Sequence, residues 1–428
     1  MMASSAPVVV IGSGFVGLGS ALHLQRDGHD VVLLDPGDPT RAASYGNAGH
    51  LAVGEVVPLS GPHVLRALPR WLADPLGPLA LRLRYLPRLT PWLLRFLRAG
   101  RMSEVERISA AMAALCDRIA LDYQPLIEEA GIQDVLRPGP HLRLYASRAA
   151  WEAEGWRWSL RVKSGFRHEL LEGEALRAKE PALASSIGFA VASLDRLTVG
   201  DPLRLLTAFR TLFRARGGRE VTGTATGFTH HGALVSGVAC ADGHVEPASA
   251  VVVAAGAWSH RLARALGDRV PLETERGYHV MLPDPGIMPR HSMSHVERGF
   301  ALSPMEQGLR LAGTVEFAGL TAPPNWDRAR NLMTIAQSLI PGLKTEGHRF
   351  WMGHRPSLPD SLPVIDRASS ARNVIYAFGH GHMGLSWGAT TGRLAAGLVS
   401  GRPTNLDLSP FRLSRFSGGR SETASASP

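Results

Sequence analysis

Lysine is almost missing from this chain. Of its 46 basic residues only Lys163, Lys179 and Lys344 are lysines. Cysteine is scarcer still, since Cys116 and Cys240 are the whole supply and form no CxxC pair. That excludes a disulfide framework and a cysteine-ligated zinc site, and it predicts two small buried apolar side chains. No uncharged apolar run reaches the ~20 residues that a bilayer-spanning helix needs. The first seven residues carry no charged n-region and no cleavage site, so no signal peptide is expected and a cytoplasmic location is. HExxH is also missing, so no metal centre is expected, and a protein nucleophile is not expected either.

What is present is ample apolar material. The 428 residues are 45% hydrophobic, enough for a large core and for more than one domain. Formal net charge is +9. Such a surplus suits nucleic acid, an anionic membrane or anionic ligands, and an arginine-biased genome also produces it. Its distribution is uneven. Residues 64–101 combine Trp71, Leu72, Leu81, Leu83, Trp92, Leu94, Phe96 and Leu97 with Arg66, Arg70, Arg82, Arg84, Arg88, Arg95 and Arg98. Asp74 is the only acid there. Exposed, this segment would suit the inner face of an anionic membrane. Packed on the body, its arginines would snorkel to water. Pro69, Pro75, Pro78, Pro87 and Pro91 imply that its helices are short.

The chain opens strand, glycine turn, helix, strand. Val8–Ile11 and residues 31–34 are continuous apolar runs of the kind buried in parallel sheets. Between them stands Gly12-x-Gly14-x-x-Gly17, with Phe15 and Val16 opening the helix. The first glycine permits the turn, the second lets backbone approach a pyrophosphate, and the third lets helix pack on strand. The helix N-terminus then offers free N–H groups to the phosphates. Asp35 ends the second strand, where a carboxylate binds ribose hydroxyls. This context points to a dinucleotide but does not choose between NAD and FAD. Two features favour FAD: the motif lies at the N-terminal end, and a second apolar strand, residues 250–255, returns far downstream into Gly256-Ala257-Trp258. Residues 103–130 read as one long helix, and Asp201-Pro202 as the capped start of another. Residues 276–282 and 308–315 read as strands of a second sheet.

Further along, Ser44-Tyr45-Gly46-Asn47-Ala48-Gly49 resembles the flavin-contacting loop of the D-amino-acid dehydrogenases. These belong to the glutathione-reductase-type flavoproteins, in the branch with D-amino-acid oxidase and glycine oxidase. Gly353-x-Arg355-Pro356, then Asp360, Pro363 and Ile365, resembles that family's GxRPxxxDxxPxIG segment. Phe378-Gly379-His380-Gly381-His382-Met383-Gly384 resembles its closing flavin loop, and Arg276-Gly277-Tyr278 the strand entering its substrate domain. The resemblance runs to about residue 410.

It implies an α/β chain, α+β overall, with a glutathione-reductase-type, Rossmann-like FAD-binding domain and an interleaved β-sheet substrate domain. The expected division is 1–60, 190–265 and 346–412 for FAD, 61–189 and 266–345 for substrate, and a disordered tail over 413–428. FAD would be held without a covalent bond. Gly12, Gly14, Phe15, Val16, Gly17 and Asp35 would hold its ADP half, with Val221 on the adenine side and Gly256 alongside. Ser44, Asn47 and Ala48 would line the isoalloxazine, and Gly353 would be a further cofactor-binding residue. Gly379, Gly381, His382, Met383 and Gly384 would approach the pyrimidine ring, where helix-end amides stabilise the charge of reduced flavin. Arg355 would take the substrate carboxylate, because a guanidinium fork matches it in two hydrogen bonds. Tyr278 would line the same pocket or be a packed aromatic of the strand. His50 would touch substrate, tune the flavin, or be structural.

The implied reaction is oxidative deamination of a D-amino or D-imino acid, with the Cα hydrogen passing to flavin N5. Within the family, Gly46-Asn47-Ala48-Gly49-His50, Leu76-Gly77-Pro78-Leu79 and Tyr85-Leu86-Pro87-Arg88-Leu89 look closest to D-hydroxyproline dehydrogenases. The expected substrates are therefore cis-4-hydroxy-D-proline or D-proline, with D-alanine and glycine- or sarcosine-type amines as rivals. Expected partners are an electron acceptor such as a quinone or the respiratory chain, with partner subunits left open. Nucleic acid is not expected, because no basic stripe with stacking aromatics remains once the flavin motifs are assigned. An NAD-linked dehydrogenase and a non-catalytic flavin-binding subunit are the competing classes.

Overall fold

The computed structural model describes residues 6–64, 74, 76–194 and 197–416. Arg66, Pro69, Arg70, Trp71, Leu72 and Pro75 of the arginine-rich segment, and residues 417–428 of the expected tail, lie outside them.

A strand with no polar side chain must be covered on both faces, so Val8–Ile11 belongs at a sheet centre. It lies between Val31–Asp35 and Ala250–Val253, parallel to both. The six-stranded order is Arg219–Thr222, Val31–Asp35, Val8–Ile11, Ala250–Val253, Val374–Phe378, Val364–Arg367. Only the last strand runs antiparallel to its neighbour. Alternate residues serve opposite layers. Val8, Val10, Val31, Leu33 and Val252 face the helices Phe15–Arg26, Pro202–Ala215 and Gly384–Ser400. Val9, Ile11, Val32, Leu34, Val251 and Val253 face a three-stranded antiparallel sheet, residues 225–247, and the short helix Ser259–Ala265. Full burial of each Val or Leu is worth about 1.5–3 kcal/mol, so this double cover dominates the stability of the layer.

The first and last helices of this layer touch through glycine. A Cβ on Gly19 would fall on the Gly388 backbone, and one on Gly392 on the Gly19 backbone. No other residue type permits backbones to approach so closely.

A second, larger sheet is built mainly from the middle of the chain. Its order is Arg349–Ser357, Glu273–Leu282, Gly308–Phe317, Phe300–Met305, Met293–His295, His141–Tyr145, Phe189–Ser193, His168–Glu172. Leu79–Leu81 adds on beside Gly308–Phe317. One face is apolar: Tyr278, Val280, Leu282, Leu302, Leu311, Leu142 and Leu144 pack against the helix Trp326–Leu339. The other carries polar side chains and turns toward the loops of the six-stranded sheet, as the next section details.

Three local expectations change. The long helix is two, Met102–Cys116 and Ile119–Glu129, and no glycine or proline marks the break. Pro91 does not shorten its helix. Leu86–Ala99 runs through it, at the loss of one backbone bond near a water-exposed first turn. The tail expected from 413 is ordered through 416: Leu413 N–H donates to Asp366 at 2.8 Å and Arg415 pairs with Asp360 at 2.7 Å. Both cysteines are buried, and no disulfide joins them. Among the described residues no helix is long and apolar enough to cross a membrane.

Candidate active site

At the C-terminal end of Val8–Ile11 the chain turns through Gly12, whose φ is +104°. A Cβ there would run into the Ala254 carbonyl, and a Cβ on Gly17 into the Gly12 carbonyl. The helix Phe15–Arg26 has Gly14 as N-cap, with no side-chain capping bond. Ser44 Oγ accepts from the Phe15 N–H at 3.3 Å, and half-buried Val16 completes the opening of the turn. Asp35 accepts from the Ser13 N–H and the Gly37 N–H, both at 2.9 Å. Val221 lies beside Leu34 in the register, and Thr222 beside Asp35. Gly256, with φ +55°, has open space where a Cβ would stand. A side-chain-free turn, helix-end amides and a carboxylate at the neighbouring strand end are the set that a pyrophosphate and a ribose diol need, so these residues fit the ADP half of FAD.

Beyond the phosphate turn, residues 40–50 meet the polar face of the large sheet. Three side chains on that face reach the loop's backbone carbonyls. Arg310 Nη1 donates to Tyr45 O at 3.1 Å and to Asn47 O at 2.5 Å. His279 Nδ1 donates to Gly46 O at 3.3 Å, and Trp351 Nε1 to Thr40 O at 2.7 Å. His279 stacks on Trp351 with ring centroids 4.8 Å apart. Burial pushes the His279 pKa down to about 3 and that of Arg310 to about 10, so the imidazole is neutral and the guanidinium charged at neutral pH. Gly46 and Gly353 flank the Trp351 ring, and a Cβ on either would strike it. Within the loop, Asn47 Oδ1 accepts from the Gly49 N–H at 2.8 Å, and half-buried Ala48 lies between them.

The strand Arg349–Ser357 spans the site. Trp351 meets the 40–50 loop at one end. At the other, the Gly381 N–H donates to Pro356 O at 2.7 Å and Ser357 bridges His380. Arg355 sits between. Its guanidinium lies over Gly277, where any Cβ would collide with it. Among the described residues the only acceptor recorded for it is Thr314 O, 3.0 Å from Nη1. Thr314 is a non-glycine residue at φ +60° with a buried, unpartnered hydroxyl. A bulge puts it there, because Arg276 pairs with Glu316 while Tyr278 pairs with Gly313. Such strain costs on the order of 1–3 kcal/mol and persists only where surrounding structure imposes it.

Arg276, on an adjacent strand, is the contrast. It is fully buried, donates to Gly319 O and Pro323 O, and lies 3.7 Å from Glu316. Its Nε and Nη1 are taken by backbone carbonyls and its Nη2 is buried, whereas Arg355 has a single backbone acceptor among the described residues, Thr314 O.

Tyr278 does not join Arg355. Strand residues alternate faces, and Arg355 shares the face of Glu275, Gly277 and His279. Tyr278 points the other way, donates to Glu316 at 2.5 Å and accepts from the Asn325 N–H at 2.9 Å. Its phenol is pushed up to about 12 by burial. Of the two readings given for it, the structure matches the packed aromatic of the strand, in the core on the face opposite Arg355.

His50 pairs across a short ladder with Thr198, and its Nε2 shares a hydrogen bond with Ser303 Oγ at 3.0 Å. Its ring meets that of buried His141 edge-on at 4.6 Å. Ser303 pairs with Arg310 in the sheet, so His50 reaches the same polar face. The closing loop begins at Gly379, φ +90°, and turns at Gly381, φ +54°. His380 is buried, bonded to Thr391 Oγ1 at 2.9 Å, and pushed down to about 3 by burial. His382 is exposed, Met383 is buried as the N-cap, and Gly384 begins the last helix.

Sequence reasoning missed Glu275, His279, Arg310, Thr314 and Trp351. Period-two alternation from Gly353 and Arg355 would have found Trp351, and the same count along 273–282 would have found Glu275 and His279 while removing Tyr278. Arg310 and Thr314 depend on the strand pairing and the bulge, which no local pattern shows.

Comparison with known proteins follows the same lines. A family model described as FAD dependent oxidoreductase, DAO, matches residues 7–398. The chain is 40% identical over 417 residues to a D-amino-acid oxidase of Bradyrhizobium diazoefficiens, covering 96% of this chain and 98% of that one. It is 29% identical over 423 residues to a D-amino acid dehydrogenase of Allorhizobium ampelinum, covering 96% and 99%. Among solved structures, glycine oxidase from Geobacillus kaustophilus superposes with TM-score 0.71 at 21% identity, over 96% of this chain and 99% of that one. L-proline dehydrogenase from P. horikoshii gives 0.70 at 17%, over 97% and 99%. These structural likenesses establish the fold.

Proposed function

The chain belongs to the DAO family of FAD-dependent oxidoreductases, and from that premise we propose that it oxidises the Cα–N bond of D-proline or cis-4-hydroxy-D-proline. It is an FAD enzyme acting on amino-acid carbon–nitrogen donors of the D-amino-acid type. Bound FAD supplies the acceptor for the Cα hydride. The observation that carries the substrate class is the uncommitted fork of Arg355, which suits a carboxylate in two charge-assisted hydrogen bonds. Gly12, Gly14, Phe15, Val16, Gly17 and Asp35 would hold the ADP half, Val221 the adenine side, and Gly256 the open flank. Ser44, Asn47, Ala48 and Gly353 would line the ring system, with Gly379, Gly381, His382, Met383 and Gly384 at its pyrimidine edge. No residue is assigned a covalent link to it. His50, tied to Ser303 and the polar face, would orient the substrate nitrogen. The preference for a cyclic imino acid is supported by the loop Gly46-Asn47-Ala48-Gly49-His50 and by the 76–79 and 85–89 segments. D-alanine and glycine- or sarcosine-type amines are the alternatives.

The division into an FAD part and a substrate part is supported by the two large sheets, one on each side of residues 40–50. Because Arg349–Ser357 pairs within the larger sheet, the FAD part would resume after it rather than at 346.

An anaerobic half-reaction tests the function. D-proline and cis-4-hydroxy-D-proline are expected to bleach the flavin absorption faster than D-alanine, glycine or sarcosine, and the L-enantiomers not at all. Bleaching by D-alanine alone would discard the cyclic substrate. A yellow protein bleached by none would leave the non-catalytic flavin subunit.

For the acceptor, a quinone of the respiratory chain at the inner face of the cytoplasmic membrane is supported by the helix Leu86–Ala99. It buries Leu89 and Trp92 against Phe317 and exposes Leu94, Leu97, Arg88, Arg95 and Arg98. Apolar side chains interleaved with cations suit an anionic bilayer. Flotation with vesicles rich in phosphatidylglycerol is expected to carry the protein at low salt, and Arg88, Arg95 and Arg98 changed to Glu to release it. No flotation at low salt would remove the membrane from the scheme.

A further inference from the structure

We propose that Glu275 is the proton-accepting counterpart of Arg355, ionised while the guanidinium fork is empty and protonated when a carboxylate occupies it. This rests on the assignment of Arg355 to the substrate carboxylate. It assigns a role to a residue that neither the flavin motifs nor the substrate fork uses.

The geometry is direct. Glu275 is cross-strand partner to Arg355, so their side chains stand on the same face of the sheet. Glu275 is only 3% exposed. Ser357 Oγ donates to its Oε1 at 2.7 Å, while its Oε2 is buried with no partner. An ionised carboxylate leaves that oxygen unsatisfied at a cost of about 1–3 kcal/mol or more, so the ionised form depends on the charge of Arg355, and protonation removes the buried charge.

The charged groups that face it are few. From the strand Arg349–Ser357 comes Arg355, which lowers its pKa, and from its own strand Glu273, which raises it. Burial is the largest influence and pushes it up. Glu273 is itself held by the Tyr85 hydroxyl at 2.9 Å and offset by Arg88, both from the segment beside the sheet. Glu316, on the strand at the other side, pairs with Arg276 and Tyr278 on the opposite face. Among the described residues Arg355 is thus the one cation that favours ionised Glu275. A bound carboxylate claims the same guanidinium. Two anions would then share one cation in a buried site, and the weaker acid of the two takes a proton. The proton comes from solvent, so no other reactant is needed.

The consequence is linkage. Binding adds a negative charge near Glu275 and raises its pKa further, so affinity is highest at low pH. It falls about tenfold per pH unit as pH rises through the window where empty-site Glu275 ionises. Benzoate and acetate, carboxylates with no amine, are the probes. The FAD-loaded enzyme is titrated with each in weak buffer, following flavin absorption and a pH indicator together. Uptake approaching one proton per bound carboxylate is expected inside the window. Glu275→Gln should bind benzoate more tightly than wild type at the alkaline end, with a flat pH profile and no uptake. Ser357→Ala, which removes a donor to the ionised form, should move the window to higher pH.

Benzoate binding by wild type without proton uptake at any pH would overturn the proposal, as would an unchanged slope in Glu275→Gln. If that variant fails to fold, the wild-type proton count decides. No binding, or binding that survives Arg355→Met unchanged, would instead strike the Arg355 assignment on which the proposal rests.

Discussion

Replacement of Arg355 by methionine is expected to lower kcat/KM for the preferred D-amino or D-imino acid from ~30-fold to a few thousand-fold, with FAD still bound. Removing one member of a desolvated, hydrogen-bonded charge pair costs about 2–5 kcal/mol, and each 1.4 kcal/mol is tenfold. Most of the loss should fall on KM, because a carboxylate is held alike in ground and transition states. Methionine keeps an unbranched apolar stem, is shorter than arginine, and brings no new polar atoms over Gly277. Arg355→Lys should recover only part of the loss, since an ammonium keeps the charge but not the planar fork. Steady-state kinetics with flavin spectra decide the matter. A KM within twofold of wild type would remove Arg355 from the substrate site.

Gly12→Val is expected to yield a colourless protein. A β-branched residue at φ +104° is strained at the backbone, and its Cβ would collide with the Ala254 carbonyl on the adjoining strand. Either the turn or the Ala250–Val253 strand must then move, and both border the position proposed for the pyrophosphate. Flavin content after purification should fall below a tenth of wild type, and added FAD should not restore it. Circular dichroism is the control. Native-like spectra with lost flavin would place the damage at the turn, and near-stoichiometric flavin would contradict the cradle assigned to Gly12.

The six-stranded sheet was legible because its central strands are apolar on both faces and end in glycine. Val8–Ile11, Ala250–Val253 and Val374–Phe378 announce themselves by composition alone. The helix Pro202–Ala215 was legible for a different reason: Asp201 caps it, accepting from the Leu203 N–H at 2.8 Å, and Pro202 fits its first turn. The candidate site was legible only where one residue type answers one chemical need, as with the glycines, Asp35 and Arg355. Tyr278 misled because adjacency to Gly277 in sequence means opposition in a strand. Glu275 stayed hidden because a single carboxylate in a strand has no local signature. Its meaning lies in Arg355, 80 residues away in the chain and directly opposite in the sheet. Thr314 depends on a bulge whose extra residues no composition marks.

The glycine contact between the first and last helices also governs how the molecule comes into being. The cofactor cradle is made near residue 12, but the strand beside Ala250–Val253 and the helix that seats on Gly19 come from residues 374–400. During synthesis the strand Val8–Ile11 therefore finds Val31–Asp35 early but waits for Ala250–Val253 on its other edge, and that strand in turn waits for residues 374–378. Pairings of such long sequence separation are slow to form and leave sticky intermediates. Stable cofactor capture is thus expected only after residues 374–400 have been made, and chains that still lack them expose the unpaired edge of Ala250–Val253.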